Sequence, residues 1–286
     1  MNKPIEDIIR QRISCRTYLE KPIEEHHRRL LHDFLESIHI GPLGTHARFT
    51  LVAATEGDQE SLKRLGTYGF IKNPAGFIVG AVEEGPKNLE DYGYLLERAV
   101  LYATGLGLGT CWLGGTFTKS RFAKTISAAG TEKVPAVIST GYGASEDNIR
   151  GQLRRQAGAP RRYPAEQLFF DKSFGSVLQG PIEEKYSQIL ELVRRAPSAS
   201  NKQPWRIIRN GDAWHFYLQR TAGYGKGSLK FILLRLADLQ RVDMGIAMCH
   251  FELAAREFGL QGSWVVDEPK IDLPDDTEYT VSWMSM

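Results

Sequence analysis

The sequence is poor in the features that mark several large classes of protein. Its 286 residues include only three cysteines, Cys15, Cys111 and Cys249, which are far apart and form no CxxC pair. Such usage argues against a disulfide framework or a cysteine-based zinc site and favours a reducing compartment. No apolar run reaches the roughly 18 residues of a membrane span, and the first residues contain no apolar signal core. We therefore expect a cytoplasmic protein that does not enter membranes.

An excess of positive charge is also missing. Lys and Arg number 36 against 34 Asp and Glu, which gives a formal net charge of +2. Nucleic-acid-binding proteins usually concentrate their basic residues, whereas pairs such as Arg154-Arg155 and Arg161-Arg162 are short and scattered. The sequence therefore predicts no nucleic-acid partner. The histidines near the start of the chain form no HExxH arrangement, so no metal site is predicted either.

A dinucleotide-binding loop is absent as well. The run Gly105-Leu106-Gly107-Leu108-Gly109 follows a predicted helix and opens a predicted strand. A Rossmann fingerprint has the opposite context, because its glycines follow a strand and open a helix. No Ser/His/Asp or Cys/His arrangement indicates nucleophilic catalysis. Neither kind of site is therefore predicted.

What the sequence does contain is a series of clear helix and strand signals. Apolar periodicity predicts helices over 5–11, 21–40, 89–104, 186–195 and 229–258, and strands over 48–54, 77–82, 134–142 and 205–208. The 42% of hydrophobic residues is ample for a packed core. Residues 77–82 are so apolar that we expect them at the centre of a sheet. The predicted class is α+β.

The second half of the chain repeats features of the first. Pro181-Ile182-Glu183-Glu184 repeats Pro22-Ile23-Glu24-Glu25 at an offset of 159 (181 − 22), and each copy leads into a helix, a turn and a strand. Later, residues 259–265 echo residues 107–113 at an offset of 152 (259 − 107). We interpret the chain as two diverged copies of one α+β unit, residues 1–168 and 169–286, fused into a single structure over 1–286.

Two stretches carry side chains suited to a ligand. The stretch from Ala196 to Trp205 gathers proline, serines and asparagine, whose polar groups either end a helix or hydrogen-bond a planar polar ring. Far away, Arg12-Ile13-Ser14-Cys15-Arg16 offers two guanidinium groups. Together these stretches resemble the flavin-binding signatures of the nitroreductase family, whose FMN lies in a dimer interface and takes residues from both subunits. Because both occur in one chain, the resemblance implies a nitroreductase-like fold fused into a pseudo-dimer.

The resemblance also implies roles for individual residues. Arg12 and Arg16 would hold the FMN phosphate and the ribityl or pyrimidine edge, since guanidinium forks match phosphate oxygens, and Ser14 would add a donor. The backbone of Gly114 or Gly115 would approach flavin N5, where a side chain would hold the ring away. The full set of implied FMN contacts is Arg12, Ile13, Ser14, Arg16, Tyr68, Lys72, Leu113, Gly114, Gly115, Arg162, Pro197, Ser198, Ala199, Ser200 and Asn201.

Some of these assignments leave alternatives open. Arg161 could replace Arg162 at the phosphate, and either Arg16 or Lys72 could stabilise the reduced flavin near N1 and O2. Residues 68–73 either border the ring or form a lid. Packing or support, rather than chemistry, is favoured for Cys15, Trp112, Gln203, Trp205 and His250.

Only one complete site is expected in each chain. At the offset of 159, Arg12 and Arg16 align with Asp171 and Gly175, which cannot hold a phosphate in their place. The second copy also lacks the paired glycines, and the first copy lacks the proline-serine stretch. The first copy would therefore supply the arginines and the paired glycines of the site, and the second copy would supply the proline-serine stretch. Because the old dimer interface would lie within one polypeptide, we predict a monomer.

The function that this resemblance implies is FMN-dependent oxidation of NAD(P)H. A reduced nicotinamide would pass hydride to flavin N5 and leave, and a nitroaromatic, a quinone or a similar small acceptor would then take the same face in a ping-pong cycle. Such a cycle needs no Rossmann motif. The alternatives are a protein that binds or senses FMN without turnover, and a pseudo-enzyme with no cofactor.

Overall fold

In the described part of the chain, helices are interspersed with the strands of two five-stranded sheets. The computed structural model describes residues 3–53, 62, 65–144, 161–178, 184–224 and 237–286. The helices are α1 (Ile5–Gln11), α2 (Glu25–Ser37), α3 (Asn88–Gly105), α4 (Lys119–Thr125), α5 (Glu184–Arg194) and α6 (Leu239–Glu257). The strands are β1 (Ala47–Ala53), β2 (Gly76–Glu83), β3 (Gly109–Leu113), β4 (Glu132–Lys133), β5 (Val137–Gly141), β6 (Phe169–Asp171), β7 (Trp205–Asn210), β8 (Ala213–Gln219), β9 (Gly262–Val265) and β10 (Thr277–Ser285).

The two sheets have the same strand order. In the first sheet the order is β1-β2-β5-β3, with the short β4 paired to the end of β2, and all pairs are antiparallel. In the second sheet the order is β6-β7-β8-β10-β9, and only β6 joins its neighbour in parallel. If β1, β2, β5 and β3 are matched with β7, β8, β10 and β9, the two orders coincide. The predicted α+β class is confirmed.

Strand β2 lies inside the first sheet and is covered on both faces. Phe77 and Val79 point into a cluster with Phe122 of α4, whereas Ile78 and Val82 point into the main core with α3. Alternate residues of a strand face opposite sides, so helices on both sides require apolar residues throughout. This explains the continuous apolar run and confirms its predicted central place.

Helices α3 and α6 cross at two glycines. A Cβ at Gly93 would overlap the carbonyl oxygen of Val242, and a Cβ at Gly245 would overlap that of Glu90. Gly245 lies 152 positions after Gly93 (245 − 93), and Val242 lies 152 positions after Glu90 (242 − 90). Contacts that repeat with the partners exchanged are the pattern of a two-fold axis. The helices pack backbone to backbone here because glycine leaves room.

Two sequence expectations differ from the structure. The last long helix begins at Leu239 rather than 229, with Asp238 as its N-cap, and residues 225–236 lie outside the described part of the chain. The predicted equivalence of residues 12–16 and 171–175 is also wrong. Ser14 pairs with Thr110 of β3, whereas β6 pairs with β7 at the other edge of its sheet.

Residues 169–171 pair with β7 because the outer edge of that strand is otherwise open. Its backbone groups need partners, and the N–H of Ile207 donates to the carbonyl of Leu168 at 2.8 Å. Residues 161–178, predicted as part of a connector over 143–180, therefore contribute a strand to the second sheet. The rest of that connector beyond Ala144, and the repeated tetrapeptide up to Glu183, lie outside the described residues. None of the described helices has the length and apolarity to cross a membrane.

Replacing Gly245 with alanine tests the helix crossing. Alanine ordinarily stabilises a helix interior by about 1 kcal/mol relative to glycine, but here the new methyl group meets the carbonyl of Glu90. We expect Gly245→Ala to lower the free energy of unfolding by about 1–3 kcal/mol, as overpacking does, in urea unfolding followed by circular dichroism. Gly85→Ala is the matched control, since a Cβ there has no neighbour within 4 Å. Equal stability of the two variants would contradict the close crossing.

Candidate functional site

A cavity of about 1020 Å³ brings together residues from distant parts of the chain. We call it the arginine-lined cavity. Its walls come from the end of α1 and the segment after it, from residues 161–163, and from the end of α5 and the turn that follows. The lining residues are Ile9, Arg10, Arg12, Ile13, Ser14, Arg16, Arg161, Arg162, Tyr163, Glu191, Arg194, Arg195, Pro197, Ser198, Ser200, Asn201, Lys202 and Gln203.

The segment after α1 is held extended along β3. Arg12 caps the helix, its N–H donates to Ile8 O at 2.9 Å, and only 8% of its surface is exposed. The N–H of Cys15 donates to Thr110 O at 2.8 Å. In extended backbone neighbouring side chains point to opposite sides, so Cys15 packs into the core while Ser14 and Arg16 line the cavity. The predicted packing role of Cys15 is confirmed, and burial raises the pKa of its thiol to about 11.

The turn over residues 197–203, here called the proline-serine turn, has an unusual backbone. Ser200, Asn201 and Gln203 have φ of 50°, 54° and 47°, and a left-handed residue other than glycine costs about 1–3 kcal/mol. Hydrogen bonds offset this strain. Ser198 Oγ accepts the N–H of Gln203 at 2.9 Å, and Gln203 Nε2 donates to Asn201 O at 3.1 Å. The predicted supporting role of Gln203 is confirmed.

A buried carboxyl group on α6 holds the same turn. Asp243 Oδ1 accepts the N–H of Ala199 at 2.9 Å, and the residue is 2% exposed. Its Oδ2 has no hydrogen-bond partner among the described residues. Burial raises the pKa of Asp243 well above its usual value. Asp91, 152 positions earlier, likewise accepts the N–H groups of Leu43 and Thr45 at 2.9 and 2.8 Å, in the corresponding turn of the first half.

The two candidate phosphate residues, Arg161 and Arg162, make different contacts. The side chain of Arg162 donates to Asn201 Oδ1, and its Nη2 donates to Arg195 O at 3.3 Å. Arg161 is exposed and contributes its carbonyl, which accepts Asn201 Nδ2 at 2.7 Å. Both residues line the arginine-lined cavity, and Arg162 lies against the proline-serine turn.

The cavity concentrates positive charge. Among the described residues its lining contains seven arginines and one lysine against one carboxylate, Glu191, which is a formal excess of seven. One of these arginines, Arg10, is paired with Glu6 outside the lining, at 2.7 Å. The whole chain has a net charge of only +2. Such a concentration in one concave surface attracts anions, and guanidinium forks match phosphate oxygens bidentately. Among the described residues no group of three or more His, Cys, Asp or Glu side chains could hold a metal ion.

Several predicted FMN contacts lie outside the lining of this cavity in the described part of the chain. They are Tyr68, Lys72, Leu113, Gly114, Gly115 and Ala199. Lys72 is nevertheless near, because its backbone N–H donates to Arg16 O at 2.8 Å. Tyr68 is 68% exposed and Leu113 is buried in the core. A Cβ at Gly114 would overlap the side chain of Leu239, so this glycine makes room for the start of α6.

Sequence reasoning missed four cations of the lining, namely Arg10, Arg194, Arg195 and Lys202. Position was the only available signal, since Lys202 lies inside the stretch from Ala196 to Trp205 and the other three lie within two residues of a stretch already singled out. The predicted structural role of His250 is confirmed. It is fully buried, with Nδ1 3.0 Å from Leu192 O and Nε2 2.9 Å from Glu97 Oε1.

Replacing Asp243 with asparagine tests its state in the folded protein. Because the pKa of Asp243 is raised on folding, the folded chain keeps a proton that the unfolded chain loses near pH 4, and stability falls as pH rises above that point. Asparagine cannot ionise and still accepts the N–H of Ala199. We therefore expect a shallower loss of the free energy of unfolding between pH 5 and pH 8, measured with urea.

The exposed residue Asp272 provides the control. Asp272→Asn should follow the wild-type protein at both pH values. The same dependence on pH in Asp243→Asn and the wild-type protein would contradict the assignment.

Residues 4–255 match the family model described as "Putative TM nitroreductase". A structure from Thermotoga maritima, described as a putative nitroreductase, is 20% identical, has a TM-score of 0.60, and covers 99% of this chain and 94% of its own. At that identity the likeness shows the fold alone. Curated proteins gave no match.

Two further solved structures resemble part of the chain. A putative nitroreductase from Desulfovibrio desulfuricans, solved in complex with FMN, is 20% identical with a TM-score of 0.44, and covers 64% of this chain and 99% of its own. A nitroreductase family protein from Clostridium difficile is 17% identical with a TM-score of 0.42, and covers 57% of this chain and 94% of its own.

Proposed function

The chain belongs to the putative TM nitroreductase family, and we propose that it is an FMN-dependent NAD(P)H oxidoreductase. The observation that carries this proposal is the convergence of two distant stretches on one cavity. Arg12 to Arg16 and Pro197 to Asn201 are separated by about 180 positions, yet both line the arginine-lined cavity. A shared wall is what a composite flavin site requires.

The residues present fit FMN. Arg12, Arg16 and Arg162 are suited to the phosphate, because charge-assisted bonds from guanidinium groups are short and strong. Ser198 and Ser200 offer hydroxyl groups for the edge of the flavin ring, and Ile13 and Pro197 add apolar surface. The volume of about 1020 Å³ lies at the upper end of that of small-molecule sites.

The protein's part in the reaction is to bind and orient. When bound, FMN supplies the redox chemistry, taking two electrons from a reduced nicotinamide and giving them to a nitroaromatic, a quinone or a similar acceptor. One NAD(P)H and one proton are then consumed for each quinone reduced to its quinol. The strained proline-serine turn, held by Asp243 and Gln203, keeps its polar groups in place before the ligand arrives.

We further propose that the chain is a fused pseudo-dimer and acts as a monomer with one site. The equal strand orders of the two sheets and the reciprocal contacts of Gly93 and Gly245 support this proposal. So does the paired use of Asp91 and Asp243 to hold corresponding turns. The arginine segment lies beside β3, and β9 is the corresponding strand of the second sheet. Among the described residues β9 pairs only with β10, so no counterpart of the arginine segment lies beside it. This supports a single complete site.

A protein that binds FMN without turnover is the second candidate. The strongly cationic cavity favours FMN binding in either case, so spectroscopy of the bound flavin does not separate the two. Steady-state oxidation of NAD(P)H with menadione or a nitrofuran as acceptor does. A protein that binds FMN and shows no such turnover would be assigned to the second candidate.

Replacing Arg12 and Arg16 together tests the cofactor assignment. Hydrogen bonds to charged groups contribute about 1.5–3 kcal/mol each, so we expect Arg12→Ala/Arg16→Ala to bind FMN about 100-fold or more weakly, measured by quenching of FMN fluorescence. Arg16→Ala alone provides a milder variant, because Arg12 also caps α1.

A matched control removes the same charge elsewhere. Arg29 and Lys133 are 68% and 62% exposed, and each makes one surface ion pair. Arg29→Ala/Lys133→Ala should bind FMN like the wild-type protein. Unchanged FMN affinity in the cavity variants, with their circular dichroism intact, would overturn the assignment.

A further inference from the structure

A second, smaller pocket lies against the face of the second sheet that is turned away from the main core. We call it the outer-face pocket. Its volume is about 370 Å³, which is within the range of small-molecule sites. Its lining residues are Glu166, Gln167, Phe170, Phe174, Gly175, Arg206, Gln219 and Pro274. None of them lines the arginine-lined cavity, so the outer-face pocket is distinct from the site proposed for FMN.

The strand register places Arg206 on this outer face. Its neighbours in β7, Trp205 and Ile207, pack in the main core, and alternate residues of a strand point to opposite sides. Arg206 lies opposite Tyr217 of β8, and Gln219, two residues further along, shares the same face. Arg206 and Gln219 therefore meet the pocket from two neighbouring strands.

The two sheets cover their outer faces differently. In the first sheet Phe122 of α4 packs with Phe77 and Val79 of β2. The corresponding cluster of the second sheet contains no helical residue in the described part of the chain, and Phe174 and Ile271, from connecting segments, pack there instead. The outer-face pocket lies beside this lighter cover, since Phe174 also lines it.

Arg206 corresponds to Arg48 of the first half. Each is the second residue of its strand, β7 or β1, and the residue that follows each packs in the main core. Arg48 Nε and Nη2 donate to the two carboxylate oxygens of Glu132, at 2.9 and 2.7 Å. Arg206 makes no ion pair with any described residue, and its Nη1 donates to the carbonyls of Gln203 and Trp205 at 3.0 and 2.7 Å.

The guanidinium group of Arg206 is therefore suited to a carboxylate from a ligand. Among the described residues its Nε and Nη2, the atoms with which Arg48 binds Glu132, have no hydrogen-bond partner. Arg206 is partly buried, and loss of hydration lowers its pKa. A bound carboxylate would offset that loss, because the guanidinium fork matches two carboxylate oxygens.

The rest of the lining narrows the class of ligand. The rings of Phe170 and Phe174 lie 5.6 Å apart, at a tilt, and supply an aromatic wall. Glu166 is exposed and makes no ion pair within the described part of the chain. A purely anionic ligand would be repelled by this carboxylate, whereas a zwitterion would match both charges.

We propose that the outer-face pocket binds an amino acid with an aromatic side chain. Its carboxylate lies on Arg206, its ammonium group on Glu166, and its ring against Phe170 and Phe174. This binding requires neither FMN nor a nicotinamide.

Calorimetric titration of the purified protein with L-phenylalanine tests this proposal. We expect saturable binding of one ligand per chain. Phenylalaninamide lacks the carboxylate and should bind about ten-fold or more weakly, because the charge-assisted bonds to Arg206 are lost. 3-Phenylpropionate lacks the ammonium group and should also bind more weakly. No saturable binding of L-phenylalanine would overturn the proposal.

Two arginines on the same strand give a matched pair of variants. Arg206→Gln should bind L-phenylalanine about ten-fold or more weakly than the wild-type protein. Arg209→Gln is the control, since Arg209 lies over the rings of Tyr186 and Trp214 on the other face of the sheet. It should bind L-phenylalanine normally. Equal affinity of Arg206→Gln and the wild-type protein would overturn the assignment.

A third variant keeps the test decisive if Arg206→Gln does not fold. Glu166→Gln changes an exposed side chain. It should weaken binding of L-phenylalanine without weakening that of 3-phenylpropionate, because only the first ligand has an ammonium group. An equal loss for both ligands, or no loss for either, would contradict the pairing of Glu166 with the ammonium group. Arg16→Ala, in the arginine-lined cavity, should bind L-phenylalanine like the wild-type protein, and a loss there would place the ligand in the wrong cavity.

Discussion

Helix α6 is the constraint on which the arginine-lined cavity depends. Near its start Asp243 holds the backbone of the proline-serine turn, and Gly245 lets the helix press against α3. At its end the carboxylate of Glu257 accepts the first free N–H groups of α1, from Ile5 and Glu6. Helix α1 leads directly to Arg12. Both walls of the cavity are thus tied to one rigid element, and a shift of α6 would move both.

Local patterns in the sequence predicted much of this fold. The apolar run over residues 77–82 predicted a central strand because a strand covered on both faces needs apolar residues throughout. The arginine segment and the proline-serine stretch were identified by residue type, and the structure brings them together. The echo of residues 107–113 in residues 259–265 identified matching strands, since β3 and β9 occupy corresponding places in their sheets.

Features that depend on distant contacts could not be predicted in this way. The offset of 159 also separates the first residues of α2 and α5, Glu25 and Glu184. It failed for residues 171–175 because Asp171 ends a strand that pairs with the open edge of β7. The net charge of +2 did not indicate a cationic cavity. Folding brings together arginine pairs that are far apart in the sequence, such as Arg161-Arg162 and Arg194-Arg195. A glycine chosen for the flavin, Gly114, has a neighbour in Leu239 that only the fold supplies.

We propose that each chain holds a single FMN in a cavity built from both halves. The most direct measurement is the flavin content of purified protein that has been saturated with FMN, desalted and heated to release the cofactor, with absorbance read against protein concentration. We expect one FMN per chain. Two per chain would mean that a second site has survived in the pseudo-equivalent position, and none would contradict the flavin site altogether.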